Sequence, residues 1–592
     1  MSSITATKSA PVEDLPARRS GLVALCFYAL VVGMVTSVGA FVLRSLMALF
    51  HNIFFQGEFS FVYDANVFDA VNPFGPWIIL APVLGGLIVV WIVETFAPEA
   101  RGHGVPEVMD AIYYKNGRIR MVVIFVKSLA SALSIGSGAS VGREGPIIQV
   151  GSGIGSTLGR VFQLPTWQTI TLVAAGAGAG IAATFNTPLG GVMFALELML
   201  PEVSSRTFLP VVISTGAATY FGWLFFGFQP AFLVPVTGLP ESSFAESIAF
   251  FPFYVILGVI CGVASAAFVR LLAWMEELFE EKIPGNAYTN NMIGMFAVGL
   301  LIYLMQLNTG HGHVDGVGYA TIQAVLTGEI NLGWFLAILF LAKLFATTLS
   351  LGSGASGGIF SPSLFMGATL GGSLGSLLQL MWPGLGVNSV MLAVIGMAAV
   401  VGSGTGAAMT AILMIFEMTR DYAAVVPSVV AVAIALGVRR TLSYENIYTV
   451  KLAWRGHHIP RERHSHMFMI RHAGDIMKPV HGIVTADQLD EAAAKARGGE
   501  DGYLIVRKGN IIEGLVRVGG TVDAGEETVT RNFVVARSDS FIRDVMARMS
   551  HSPRGARLAI VVDRKGVPRP DDVLGIVTRS GIAETIISEL NN

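Results

Sequence analysis

The stretch "LSIGSGASVGREGP" (Leu133–Pro146) returns as "LSLGSGASGGIFSP" (Leu349–Pro362), at an offset of 216 residues (352 − 136). The match continues without a gap, pairing Lys127 with Lys343, Gly142 with Gly358, Gly151 with Gly367 and Gly159 with Gly375. Close packing of membrane helices favours Gly, Ser and Ala, but it does not demand a shared lysine, a shared proline and a single register. The chain is therefore read as an internal duplication, two copies of one architectural unit. Flanking matches need small shifts: Gly104–Val105 with Gly316–Val317, and Glu197 with Glu417.

The medium follows from composition. Of 592 residues, 53% are hydrophobic and 14% charged, with a mean hydropathy of +0.62; soluble domains carry about 25% charged residues. The expected fold is an all-α polytopic membrane protein. Apolar runs at 21–50, 76–95, 207–229, 250–278, 333–350 and 421–438 meet the requirement of about 20 residues per crossing. Those at 121–135, 168–182 and 389–403 are shorter and interrupted by glycine. Broken backbone of that kind stands in a membrane only against other protein or around a cavity.

Other function classes fall away. A net charge of −2 points to no nucleic acid, and Cys26 and Cys261 both lie in apolar runs, giving no disulfide framework or metal cluster. "HGH" (His311–His313) lacks a third ligand nearby and reads as a loop. "GSGIGSTLG" (151–159) lacks the strand and acidic partner of a dinucleotide site. With no catalytic triad or phosphate loop, no enzyme is expected. Residues 1–20 read as a cytoplasmic segment without a signal peptide. Arg18 and Arg19 before the first span, and Arg439, Arg440, Lys451 and Arg455 around the last, place both ends in the cytoplasm. Past about residue 466 the composition changes to alternating β-like runs and charged helical stretches, a small α/β tail of two similar units.

Each repeated phrase precedes a helix start with proline at its third or fourth residue. Free N–H groups there, at the positive dipole end, form an anion site that carries no full positive charge. Two such starts meeting at mid-membrane make a weak cage from which an anion can leave. The expected cargo is a small anion.

At these residues a family resemblance becomes legible. "GSGASVGREGP", "GGIFSP", "GHGVPE" and Tyr448 in "ENIYTVKL" resemble the signature stretches of the CLC chloride channel and transporter family, over roughly 20–457. The tail resembles the paired CBS domains that many members carry. The resemblance implies a homodimer in the cell membrane, one chloride pathway per subunit and an inverted repeat of about seventeen helices, with CBS-like cytoplasmic domains. It divides the chain into a membrane domain at 21–457 (repeats at about 21–229 and 250–457), a linker at 458–470 and a tail at 471–592. It assigns Glu144 as the gate, ionised when it occupies an anion site and protonated when it swings out. It places the N–H groups of Arg143 and Gly145 at an outer site. His103, Gly104, Val105, Ile359, Phe360 and Tyr448 then line the central one, Tyr448 through its phenol. Ile359 and Phe360 stand where the first copy has Arg143 and Glu144, because only their backbone is needed.

Two departures matter. His103 replaces the family's usual serine, and an imidazole donates one N–H when neutral and two when charged. Leu198 follows Glu197 where proton-coupled members carry a second glutamate, and leucine relays no proton. The expectation is a channel-like or weakly coupled pathway, with coupled chloride/proton antiport as the alternative. In the tail, Gly581 stands where adenine-nucleotide-binding CBS pairs have an aspartate after Thr578. A structural tail with no cofactor is therefore expected at least as readily as a nucleotide sensor.

Overall fold

Helices account for most of the described residues before 460. In the computed structural model the chain forms two units, 1–459 and 460–592, and each is taken by itself. The structure describes residues 20–68, 72–234, 244–459, 471–496, 502–518, 529–552, 555–563 and 568–590. The expected N-terminal segment and most of the expected linker lie outside them.

Among the described residues, the first unit holds seventeen α-helices, eight per repeat and one more. The first repeat contains α1 (Leu22–His51), α2 (Leu80–Phe96), α3 (Val105–Tyr114), α4 (Met121–Gly136), α5 (Glu144–Val161), α6 (Thr166–Phe185), α7 (Pro188–Phe194) and α8 (Ser205–Phe226). The second contains α9 (Phe244–Glu277), α10 (Ala287–Thr309), α11 (Tyr319–Leu326), α12 (Gly333–Gly352), α13 (Phe360–Met381), α14 (Ser389–Thr405), α15 (Ala408–Thr419) and α16 (Val425–Leu442). The short α17 (Thr449–Trp454) follows.

Nine helices among the described residues are long and apolar enough to cross a membrane. Ala287–Thr309 and Phe360–Met381 are among them, although sequence reading did not mark them as spans. Asn290, Asn291 and Gln306 dilute the first and glycines the second. Side chains such as Val23, Phe27, Phe125 and Leu380 are exposed, as lipid-facing positions require.

The two phrases fold alike. At the end of α4, Ser137 N–H donates to Leu133 C=O (2.9 Å), Gly138 to Ile135 (3.1 Å) and Ala139 to Ser134 (3.0 Å). At the end of α12, Ser353 donates to Leu349 (3.0 Å), Gly354 to Leu351 (3.0 Å) and Ala355 to Ser350 (2.9 Å). Gly138 and Gly354 sit at φ of 105° and 103°, a region L side chains avoid, so each phrase needs its second glycine. The helices that follow also pack alike. A methyl group on Gly151 or Gly176 would strike the carbonyl of the other, and the same holds for Gly367 and Gly396. Small residues thus let α5 cross α6, and α13 cross α14, at backbone contact.

The repeats are related by a two-fold exchange. Gly142 and Gly358, 216 positions apart, form an antiparallel bridge in which each donates to the other's carbonyl, at 2.6 and 2.5 Å. Ser140 Oγ meets Thr347 Oγ1 (3.3 Å), and Ser356 Oγ meets Ser131 Oγ (3.0 Å), the same contact with the repeats interchanged.

The second unit holds two three-stranded sheets of identical topology. β1 (Val480–Thr485) lies parallel to β2 (Gly502–Lys508), which is antiparallel to β3 (Ile511–Val518). β4 (Phe533–Arg537), β5 (Leu558–Val562) and β6 (Val573–Thr578) repeat that order. Helices Leu489–Ala496 and Ile542–His551 make the parallel crossovers. Ile505, Leu515, Ile560 and Ile576 pack together between the sheets. This is the small α/β region of two similar parts that the sequence suggests. The second of its two similar parts opens with β4, ahead of the helix Ile542–His551.

Candidate functional site

The bridge between Gly142 and Gly358 brings two helix starts together. Glu144, Gly145 and Pro146 open α5, and Phe360, Ser361 and Pro362 open α13. Proline at the third position has no N–H, so each start presents only its first two donors and that of the residue before. A methyl on Gly145 would strike the His103 carbonyl and come within 3.0 Å of Gly358 Cα. The loop before α3 is therefore pressed into the same place.

Glu144 is fully buried, and its carboxylate belongs to the second repeat. Oε2 accepts the Ser361 N–H at 3.3 Å, and Oε1 accepts the Tyr319 hydroxyl at 2.6 Å and the Ser361 hydroxyl. A carboxyl group thus rests on the first turn of α13, where dipole and free N–H groups favour negative charge.

The loops bearing the other candidate residues hang from the two repeated lysines. Lys127 Nζ, wholly buried, donates to Ala100 C=O (3.0 Å) and Gly102 C=O (2.6 Å). Lys343 Nζ, equally buried, donates to Val314 (3.0 Å) and Gly316 (2.9 Å). Buried ammonium groups must be so satisfied, and here they fix the entries to α3 and α11. These bonds also set the register, since Ala100 matches Val314 and Gly102 matches Gly316. Gly104 then matches Gly318, with φ of 79° and 75°. The sequence pairing of Gly104–Val105 with Gly316–Val317 is thus out by two. Val105 corresponds to Tyr319, and both open their helices.

His103 is buried, and neither ring nitrogen has a hydrogen-bond partner among the described residues. Its ring lies 6.0 Å from that of Tyr448, itself 1% exposed. Tyr448 precedes α17, where Asn446 Oδ1 accepts the N–H groups of Tyr448 (2.9 Å) and Thr449 (2.8 Å). Contacts between Arg455 and Glu107 (2.7 Å) and between His457 and Asp110 (2.5 Å) tie the chain after Tyr448 to α3. The structure so assembles His103, Tyr448, Gly145 and the α13 start. The Val105 N–H is engaged inside the protein, donating to His103 C=O at 3.0 Å. Leu198 is buried in a π-helical turn, Ala195–Met199, that packs against α3. Tyr319 and Ser361 were missed by sequence reasoning. Ser361 lies inside the quoted "GGIFSP", and Tyr319 would have followed from the right register. His313 Nδ1 pairs with Thr321 Oγ1 (3.1 Å), as a loop residue would.

Comparison with known proteins follows the same lines. The profile of the family described as "Voltage gated chloride channel" matches residues 85–440. The "H(+)/Cl(-) exchange transporter ClcA" of Vibrio cholerae serotype O1 (strain M66-2) is 32% identical over 369 residues, covering 61% of this chain and 75% of the relative. The protein of that name in Yersinia pseudotuberculosis serotype IB (strain PB1/+) is 30% identical over 396 residues, 66% and 80% of the two chains. Among solved structures, "a slow cyanobacterial Cl-/H+ antiporter" superposes with a TM-score of 0.65 at 25% identity, covering 74% of this chain and 99% of that one. "A eukaryotic CLC transporter" gives a TM-score of 0.62 at 20% identity over 95% and 98% of the two chains, a likeness of fold.

Proposed function

This chain belongs to the voltage gated chloride channel family, and on that premise we propose that it moves chloride, or a related small anion, across a membrane under the control of Glu144. The observation that carries this reading is the buried Glu144 carboxylate on the Ser361 N–H, at the start of α13. A side-chain carboxylate and a free anion want the same dipole end and the same donors. Ionised, Glu144 fills the place; protonated, it loses its charge-assisted bonds and yields it. His103, Gly104, Tyr448 and the N–H groups of Ile359 and Phe360 form the inner part of the pathway. Arg143 and Gly145 form the outer.

Leu198 supports the uncoupled or weakly coupled form of this reading, because a leucine beside α3 offers no proton a resting place. A second reading, coupled chloride/proton exchange through another relay, is favoured by the exchange activity in the relatives' names. Both readings take the protein as a homodimer with cytoplasmic termini and no nucleotide requirement. Thr578 supports the last point, since its hydroxyl already accepts the Gly581 N–H at 2.7 Å. Chloride efflux from liposomes holding wild type or Glu144→Gln tests the gate. Wild type should speed up in acid, whereas Glu144→Gln should run fast at every pH. A variant as pH-sensitive as wild type contradicts the reading.

A further inference from the structure

Resting on Glu144 as the gate, we propose that Tyr319 and Ser361 form a two-hydroxyl latch that holds the carboxylate in its closed place and sets the pH at which it lets go. The geometry is direct. Tyr319 Oη donates to Glu144 Oε1 at 2.6 Å and lies 2.8 Å from Ser361 Oγ, which bonds the same carboxylate oxygen. All three residues are buried, at 2% exposure or less.

The duplication shows that the latch is a divergence between repeats and not a shared packing feature. Tyr319 occupies the position of Val105, and Ser361 that of Gly145 (361 − 145 = 216). The second repeat supplies both hydroxyls at positions where the first has none. The first repeat supplies the acid at the position where the second has Phe360. The first repeat could not carry the Ser361 half: Gly145 has no room for a side chain against the His103 carbonyl.

The chemistry gives a direction. Donors aimed at a carboxylate stabilise its ionised form more than its neutral form. A gate deprived of one donor should therefore take up a proton, and open, at higher pH. Other charged and titratable groups near Glu144 and its partners are Lys343 on α12 and Tyr448 before α17, with Arg143, its guanidinium 5.0 Å over the Tyr319 ring, and Arg44 on α1 facing Tyr319. Tyr319→Phe leaves each of them in place. It also keeps the ring that packs against Phe232 (5.2 Å between centroids) and Phe185 (6.5 Å). The substitution thus removes the donor and little else.

The test is chloride efflux from liposomes at pH 4.5–8.5 for wild type, Tyr319→Phe, Ser361→Ala and Glu144→Gln. The latch requires the Tyr319→Phe activation midpoint to move alkaline by about one pH unit, a tenfold change in the protonation equilibrium. Ser361→Ala should shift the same way, with Glu144→Gln flat across the range. A Tyr319→Phe protein with slower flux and an unmoved midpoint would reduce Tyr319 to packing and overturn the latch while leaving the gate standing. Should Tyr319→Phe fail to insert, Ser361→Ala is judged by the same midpoint. A Glu144→Gln protein that keeps the wild-type pH response removes the gate, and the latch with it.

Discussion

Glu197 and Glu417 each cap the start of the helical segment that carries the other. Glu197 accepts the N–H groups of Met409 (3.0 Å) and Thr410 (2.7 Å) at the start of α15, together with the Thr410 hydroxyl (2.6 Å). Glu417, on α15, accepts those of Leu189 (3.0 Å) and Gly190 (2.7 Å) at the start of α7. The exchange clamps the two repeats together with charge-assisted bonds at two dipole ends. It gives physical content to the sequence match between these glutamates, and it makes the retained Glu197 a structural acid.

Removal of either cap should therefore weaken the fold. Each of Glu197→Ala and Glu417→Ala strips two N–H groups of a carboxylate, where a hydrogen bond to a charged group contributes about 1.5–3 kcal/mol. Both variants should lower the thermal unfolding midpoint of detergent-purified protein, and by similar amounts. A loss confined to Glu197→Ala would break the symmetry on which this rests.

The left-handed glycines give a second paired outcome. Gly138→Ala and Gly354→Ala force a side chain into φ near +105°, a strain of about 1–3 kcal/mol each. In Gly138→Ala the new methyl also meets Phe55 at 3.0 Å. Both should reduce the yield of folded protein, Gly138→Ala the more. Thermal melts of the purified variants measure it.

What was legible in the sequence, and what was not, divides along one physical line. The phrases at 133–146 and 349–362 could be aligned because the same turn and cap demand the same residues in the same order. Lys127 and Lys343 could be aligned as well, yet their role could not be read, since the carbonyls they hold lie 25 to 29 residues away. The interval from Gly102 to Lys127 is two residues shorter than that from Gly316 to Lys343. Matching the letters Gly-Val across that insertion therefore misplaced the register. Tyr319 was hidden by this shift. The α/β tail was legible from its alternating pattern.

His103 offers a test of the central part of the pathway. A buried imidazole with two unpartnered ring nitrogens beside Tyr448 is a donor waiting for an acceptor. His103→Ser should alter the relative flux of chloride, bromide and nitrate. Profiles identical to wild type would remove His103 from the anion's surroundings.

In the tail, ATP or AMP titrated into the full-length protein should give no heat and no thermal shift, because Gly581 supplies no carboxylate after Thr578, whose hydroxyl caps the helix Arg579–Leu590. Saturable binding would show that the tail senses nucleotide despite Gly581.

Chloride and proton movement recorded together, in vesicles holding the purified protein and a chloride gradient, reach the centre of the matter. The expected result is chloride flux that acid accelerates, with no stoichiometric uphill proton flux in wild type; Leu198→Glu is the natural attempt at restoring one. Vesicles that pass no more chloride than protein-free controls would contradict the anion pathway. Tightly coupled proton pumping by wild type would contradict the uncoupled reading and establish exchange.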